Sequence, residues 1–177
     1  MYLTAAELPV REHDAPRGGR RCADALSNDY LNHFSEALML IEIAADAPDV
    51  VDDLRDWRPI DYQDYFAQSQ LRHAPQARAA YDFVEPGPRE AFERVTRAMD
   101  QLIATAIRAL RPPCEPEDAA LVAGVTAPAL RSLIAQASSF LNSGGRAVPC
   151  AGQAEEAQAV IDRLMAPRSA GQADISK

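Results

Sequence analysis

The segment EPGPREAFERVTRAMDQLIATAIRALRPP, residues 85–113, decides the fold class. Its apolar positions Phe92, Val95, Met99, Leu102, Ala106 and Ala109 recur at alternating steps of three and four, which places them in one stripe along an α-helix. Pro88 suits a first helical turn, where its missing N–H is no loss, and Pro112-Pro113 stops the helix. Glu90–Arg94 and Glu93–Arg97 stand four residues apart on the outer side and support the helix there. Such a stripe needs a cover, and the flanking sequence supplies one.

Upstream, NDYLNHFSEALMLIEIAAD (28–46) reads as a helix capped by Ser27, with Asp29 in the first turn, running to about Ala45 before Pro48. A short helix over Asp49–Trp57 stops ahead of Pro59, Asp61 caps another through about Arg72, and Pro75 opens one towards Val84. Downstream of the hinge-like RPPCEPED (111–118), a shorter helical piece spans Glu117–Ala123. A separate helix starts at Thr126 as N-cap with Pro128 in its first turn, and Leu130, Leu133, Ile134, Ala137 and Phe140 form its stripe. NSGG at 142–145 ends it. The final helix, Gln153 to Met165, turns Ala157, Val160, Ile161, Leu164 and Met165 inward. No stretch alternates at period two. The expected fold is therefore all-α, a single-domain bundle of about six to eight helices. It covers 27–166, with a sub-division at the Pro-rich joint 112–116 as an option, between a flexible arm (1–26) and a flexible tail (167–177).

At 47% apolar residues the chain can build a core, and its alanine-rich composition with few aromatics (6%) favours helix over sheet. Arginine carries the positive charge, because the only lysine is Lys177; that composition suggests a high-GC bacterial source. The net charge of −8 argues against nucleic-acid and anionic-membrane partners. No apolar run of about 18–20 residues is read, so no transmembrane helix is expected, and no secretory signal core precedes residue 26. Cys22, Cys114 and Cys150 are odd in number and form no CxxC, which fits reduced thiols in a cytoplasm. Arg17, Arg20 and Arg21 make a small basic spot in the arm.

His33 lies four residues after Asp29 and three before Glu36, so the three can touch along the polar edge of their helix. As a phosphoacceptor it would suit a histidine phosphotransfer module, but HFSEALM lacks the lysine and glycine such modules carry after the histidine. As a metal ligand it would need a second Glu-x-x-His helix, and His13 and His73 do not provide one. The plain alternative is a surface histidine held by two carboxylates.

On the same helix, at about 100° per residue, Phe34, Leu38 and Ile41 mark the core face, while Met39 and Ile43 fall on the opposite side with Leu40 at the edge. One packing layer cannot bury both sets. Either the helix is central, or Met39, Leu40 and Ile43 form a docking surface for another protein or a second copy of the chain. DAPDVVDDLRDWRPIDYQDYF (46–66) places Trp57, Tyr62, Tyr65 and Phe66 among seven aspartates, which lack calcium-loop spacing and serve as caps and solvated charges. Trp57 either covers the joint between two short helices or anchors a partner.

No GxSxG, phosphate-binding glycine loop or HExxH occurs, and Gly144-Gly145 reads as a helix stop. The residues thus point to no catalytic group, no metal and no cofactor. They point to a non-enzymatic cytoplasmic regulatory or adaptor protein that contacts another protein, or itself as a homo-oligomer, through Met39, Leu40, Ile43 and Trp57. The alternatives are a phosphotransfer module using His33 and a helical metal- or small-molecule-binding enzyme.

Overall fold

The Ser27 hydroxyl accepts a hydrogen bond from the Asp29 N–H, and a 3-10 turn, Asn28–Leu31, leads into helix α1, Asn32–Ile43. The computed structural model describes residues 26–47, 49–149 and 152–166. Within them follow α2 (Val50–Asp56), α3 (Tyr62–Gln68), α4 (Ala74–Asp82), α5 (Pro86–Ala109), α6 (Pro116–Asn142) and α7 (Gly152–Met165), with no strand among the described residues. The all-α expectation holds. Expectations for the N-terminal arm up to residue 25, the tail, Pro48, His13, Cys22 and Cys150 concern positions outside the described residues.

α5 and α6 pack along each other, α7 packs against both, and α1 lies chiefly on α6. The α5 stripe is buried as read, with Phe92, Val95, Met99 and Leu102 all at or below 1% exposure. α6 and α7 supply most of its cover, and α1 touches α5 only in part. Phe92 stacks on Phe140 of α6 at 4.5 Å, with ring planes 15° apart. Leu102 and Ile103 before the Pro-rich joint and Leu130 and Leu133 after it belong to one core. Burying each such side chain contributes roughly 1.5–3 kcal/mol.

Three local readings are corrected. Thr126 does not cap a helix, since α6 runs unbroken from Pro116 to Asn142 with Pro128 inside it. An interior proline costs about 3 kcal/mol or more. Here the helix holds on both sides of it, through Ala119, Val122 and Ala123 before and Ala129, Leu130 and Leu133 after, all buried. Gly124, four residues back, carries the carbonyl that Pro128 cannot serve, and among the described residues nothing beyond the adjoining α6 chain lies within 4 Å of where its Cβ would be. Joining the two pieces also makes α6 long enough, at 27 residues and mean hydropathy 1.3 over its best window, to cross a membrane by length and composition. In this fold its apolar side chains Leu130, Leu133, Ala137 and Phe140 sit in the core at 0% exposure. At the other end of the chain, Ala157 and Ile161 point inward, but Leu164 and Met165 of α7 are exposed rather than buried. α3 stops at Gln68, short of Arg72, because Ser69 turns extended.

The α6 stop is as expected. The Gly145 N–H bonds the Phe140 carbonyl at 2.9 Å and the Gly144 N–H bonds that of Leu141 at 3.0 Å, with both glycines at positive φ. A Cβ at Gly145 would come within 3.0 Å of Val84, so this Schellman-type stop also lets α6 end close against the α4–α5 corner.

Candidate binding cleft

Pro59 ends α2, and residues 57–61 cross as an extended strap to α3, where the Asp61 carboxylate accepts from the Asp64 N–H at 2.7 Å. The strap is stitched at both ends. The Trp57 indole N–H donates to the His33 carbonyl at 3.2 Å, and the Tyr30 hydroxyl donates to the Ile60 carbonyl at 2.9 Å. Between the strap, α1, α3 and α5 lies a cleft of about 1020 Å³.

Aromatic rings frame it. Tyr30 meets Phe34, Tyr62 and Tyr65 edge-on at 5.3–5.6 Å, and Tyr62 stacks on Tyr81 at 4.7 Å. Burial raises the pKa of Tyr30 well above the phenol range and that of Tyr62 to about 12, so these hydroxyls act as neutral hydrogen-bonding groups.

His33 is not the surface residue that its spacing suggests. Its ring stacks on Trp57 at 4.8 Å with planes 17° apart, and Nε2 is buried without a hydrogen-bond partner. Desolvation lowers its pKa below 6.5 against the opposing pull of the Arg58 backbone and the Glu36 carboxylate. Asp29, read as its neighbour, turns the other way. It contacts His73 Nε2 at 2.8 Å and accepts from the Ser27 hydroxyl at 2.9 Å. Serine, histidine and aspartate therefore meet, with Ser27 Oγ 3.2 Å from the same His73 nitrogen. A nucleophilic triad needs the hydroxyl on one imidazole nitrogen and the carboxylate on the other. With both on Nε2 this cluster is a clamp on the chain entry, and the Ser27 N–H is held as well by the Tyr62 hydroxyl at 2.8 Å.

The cleft is acidic. Seven of its lining side chains are carboxylates and two are arginines. Both arginines are engaged, Arg97 with Glu93 at 3.8 Å and Arg58 with the backbone carbonyls of Arg55 and Trp57. Asp100, on α5, has Oδ1 withdrawn from water and without a hydrogen-bond partner. Burial pushes its pKa up to about 7. No group of three metal-ligating side chains converges among the described residues.

Of the residues singled out in the sequence, Leu40, Trp57 and His33 line the cleft. Met39 and Ile43 lie outside it, exposed on α1 at 54% and 40%. Trp57, directly after α2, contacts α1 through His33 and Phe34. Sequence reasoning passes over Asp100, although a signal exists. At about 100° per residue it falls about 20° round from the apolar Ile107, at the edge of the buried face of α5. No known protein family, curated protein or solved structure matches the chain.

Proposed function

We propose that this chain is a non-enzymatic cytoplasmic regulatory or adaptor protein that engages another protein through the outer face of α1. One observation carries the reading. Met39 and Ile43, one turn apart, are 54% and 40% exposed on a helix whose opposite side, Phe34, Ala37 and Ile41, is at 0%. α1 is therefore not a central helix in the chain as it stands alone, and a flexible thioether beside a branched aliphatic is suited to an adaptable contact. The phosphotransfer alternative draws no support from His33, whose Nε2 is buried under the Trp57 strap.

The test is the double variant Met39→Glu with Ile43→Arg. It should stay folded, with unchanged helical circular dichroism, and lose both self-association in sedimentation and any partner that the wild type captures from native extract. A folded double variant that keeps every association of the wild type overturns the reading.

A further inference from the structure

We infer that the cleft beneath the Trp57–Asp61 strap binds an organic cation, an alkylammonium or guanidinium group carried on a short apolar body, with the Asp100 carboxylate as its counter-charge. Four features of the cleft support this and none depends on the α1 docking face. Its volume of about 1020 Å³ is at the upper end for a small-molecule site. Trp57 and Tyr65 stand half-buried at its walls over the buried rings of Tyr30, Tyr62, Tyr81 and Phe92, and accessible aromatic rings attract cations through the π quadrupole and shield an apolar body from water. Its carboxylates outnumber its arginines, and both arginines are already occupied. Finally, Asp100 keeps a solvent-inaccessible, unpartnered oxygen at the wall of this space, and neither Arg58 nor Arg97 pairs with it. A buried carboxylate left uncompensated is costly, and a bound cation removes that cost.

An anion would meet the carboxylates, and a neutral apolar ligand would leave Asp100 as it is. A hydrated metal ion would find no converging ligand set among the described residues. An ammonium or guanidinium group meets both the charge and the aromatic walls. That chemistry can come from a free amine or from an arginine side chain of a bound peptide.

Trp57 is the only tryptophan in the chain, so its fluorescence reports on the cleft directly. The probes are agmatine and spermidine as free cations, an acetylated and amidated Gly-Arg-Gly peptide, and butylurea as a neutral control, each titrated at pH 8 and checked by calorimetry. At least one cation should bind with one-to-one stoichiometry in the micromolar to low millimolar range while butylurea does not. Asp100→Asn should weaken that binding at least tenfold without loss of helical content. Tighter binding of agmatine or spermidine assigns a free amine, and tighter binding of the peptide assigns an arginine side chain. Met39→Glu with Ile43→Arg should leave these titrations unchanged, which keeps this result separate from that of the docking face. Absence of binding by all three cations, equal binding of butylurea, or cation binding that Asp100→Asn leaves intact would each overturn the inference.

Discussion

The His33 imidazole and the Trp57 indole lie 4.8 Å apart with planes 17° from parallel, and the indole N–H donates to the carbonyl of that same histidine. The pair joins α1 to the strap that roofs the cleft. His33→Ala should therefore cost about 1 kcal/mol, the stacking beyond area burial, where a solvated surface histidine would cost almost nothing. The pH dependence has a definite sign. Because folding lowers the His33 pKa, the unfolded chain takes up its proton first, and stability is lost as pH falls below about 6.5. Urea denaturation of wild type and His33→Ala at pH 5.5 and 7.5 checks both statements. The difference between the two proteins should shrink at the lower pH.

Pro128 offers a test in which two readings of α6 give opposite signs. If Thr126 capped a helix with Pro128 in its first turn, Thr126→Val and Pro128→Ala would each destabilise. In the unbroken helix, Pro128 is exposed and lacks the N–H that Gly124 would accept, while the buried Thr126 hydroxyl has no partner. Pro128→Ala should then stabilise by about 1–3 kcal/mol, and Thr126→Val should be neutral or stabilise by about 1 kcal/mol. Thermal melts of the single variants separate the cases.

Helix boundaries were legible wherever one residue carries the stop or start locally, as Ser27, Asp61, the prolines at α4 and α5, and Gly144-Gly145 do. The continuity of α6 was not legible, because a local rule about Pro128 is overridden by core contacts made far along the chain. The cleft hides in sequence for the same reason. Tyr30, Trp57 and Asp100 come from the 3-10 turn, the strap and α5, and only folding brings them to one wall-lined space. The aspartates of 46–66 are visible as a cluster, but whether they face water or an aromatic cleft depends on the Tyr30 and Trp57 stitches to Ile60 and His33.

The core makes a graded prediction. Leu102 is 1% exposed and enclosed by the main bundle, so Leu102→Ala should cost about 2–5 kcal/mol. Leu38 is only half-buried against the core, and Leu38→Ala should cost about 1–2 kcal/mol. Leu164→Ala, on the exposed end of α7, should fall within about 0.5 kcal/mol of wild type. A chemical denaturation series that ranks the three otherwise would contradict the packing.

Asp100 couples stability and binding to pH in opposite senses. Its pKa is raised from 3.8 to about 7, so the folded chain holds the proton more tightly than the unfolded one. The group's contribution is most favourable below about pH 4, is lost as pH rises towards 7, and is level above that. Solvent reaches the cleft, so the loss is on the order of 1–3 kcal/mol rather than the full equivalent of the shift. Asp100→Asn removes the titrating group, and its stability relative to wild type should rise from about pH 4 to about pH 7 and level off above that in urea denaturation. Cation binding runs the other way, because only the ionised carboxylate supplies a counter-charge. On α5 itself Glu93 and Arg97 flank Asp100 and pair with each other. Across the cleft stand Glu36 and His33 of α1, Asp53 and Asp56 of α2, Arg58 and Asp61 of the strap, and Asp64 of α3. The tyrosine hydroxyls of Tyr30, Tyr62 and Tyr81 stay protonated throughout this range, since burial raises all three. His33 stays neutral over most of it, since burial lowers its pKa. Agmatine affinity of the wild type should therefore rise about tenfold between pH 6 and pH 8, following Asp100 ionisation, while Asp100→Asn shows a flat profile. A wild-type profile as flat as that of the variant would separate the cation site from Asp100, even if the stability slope is found.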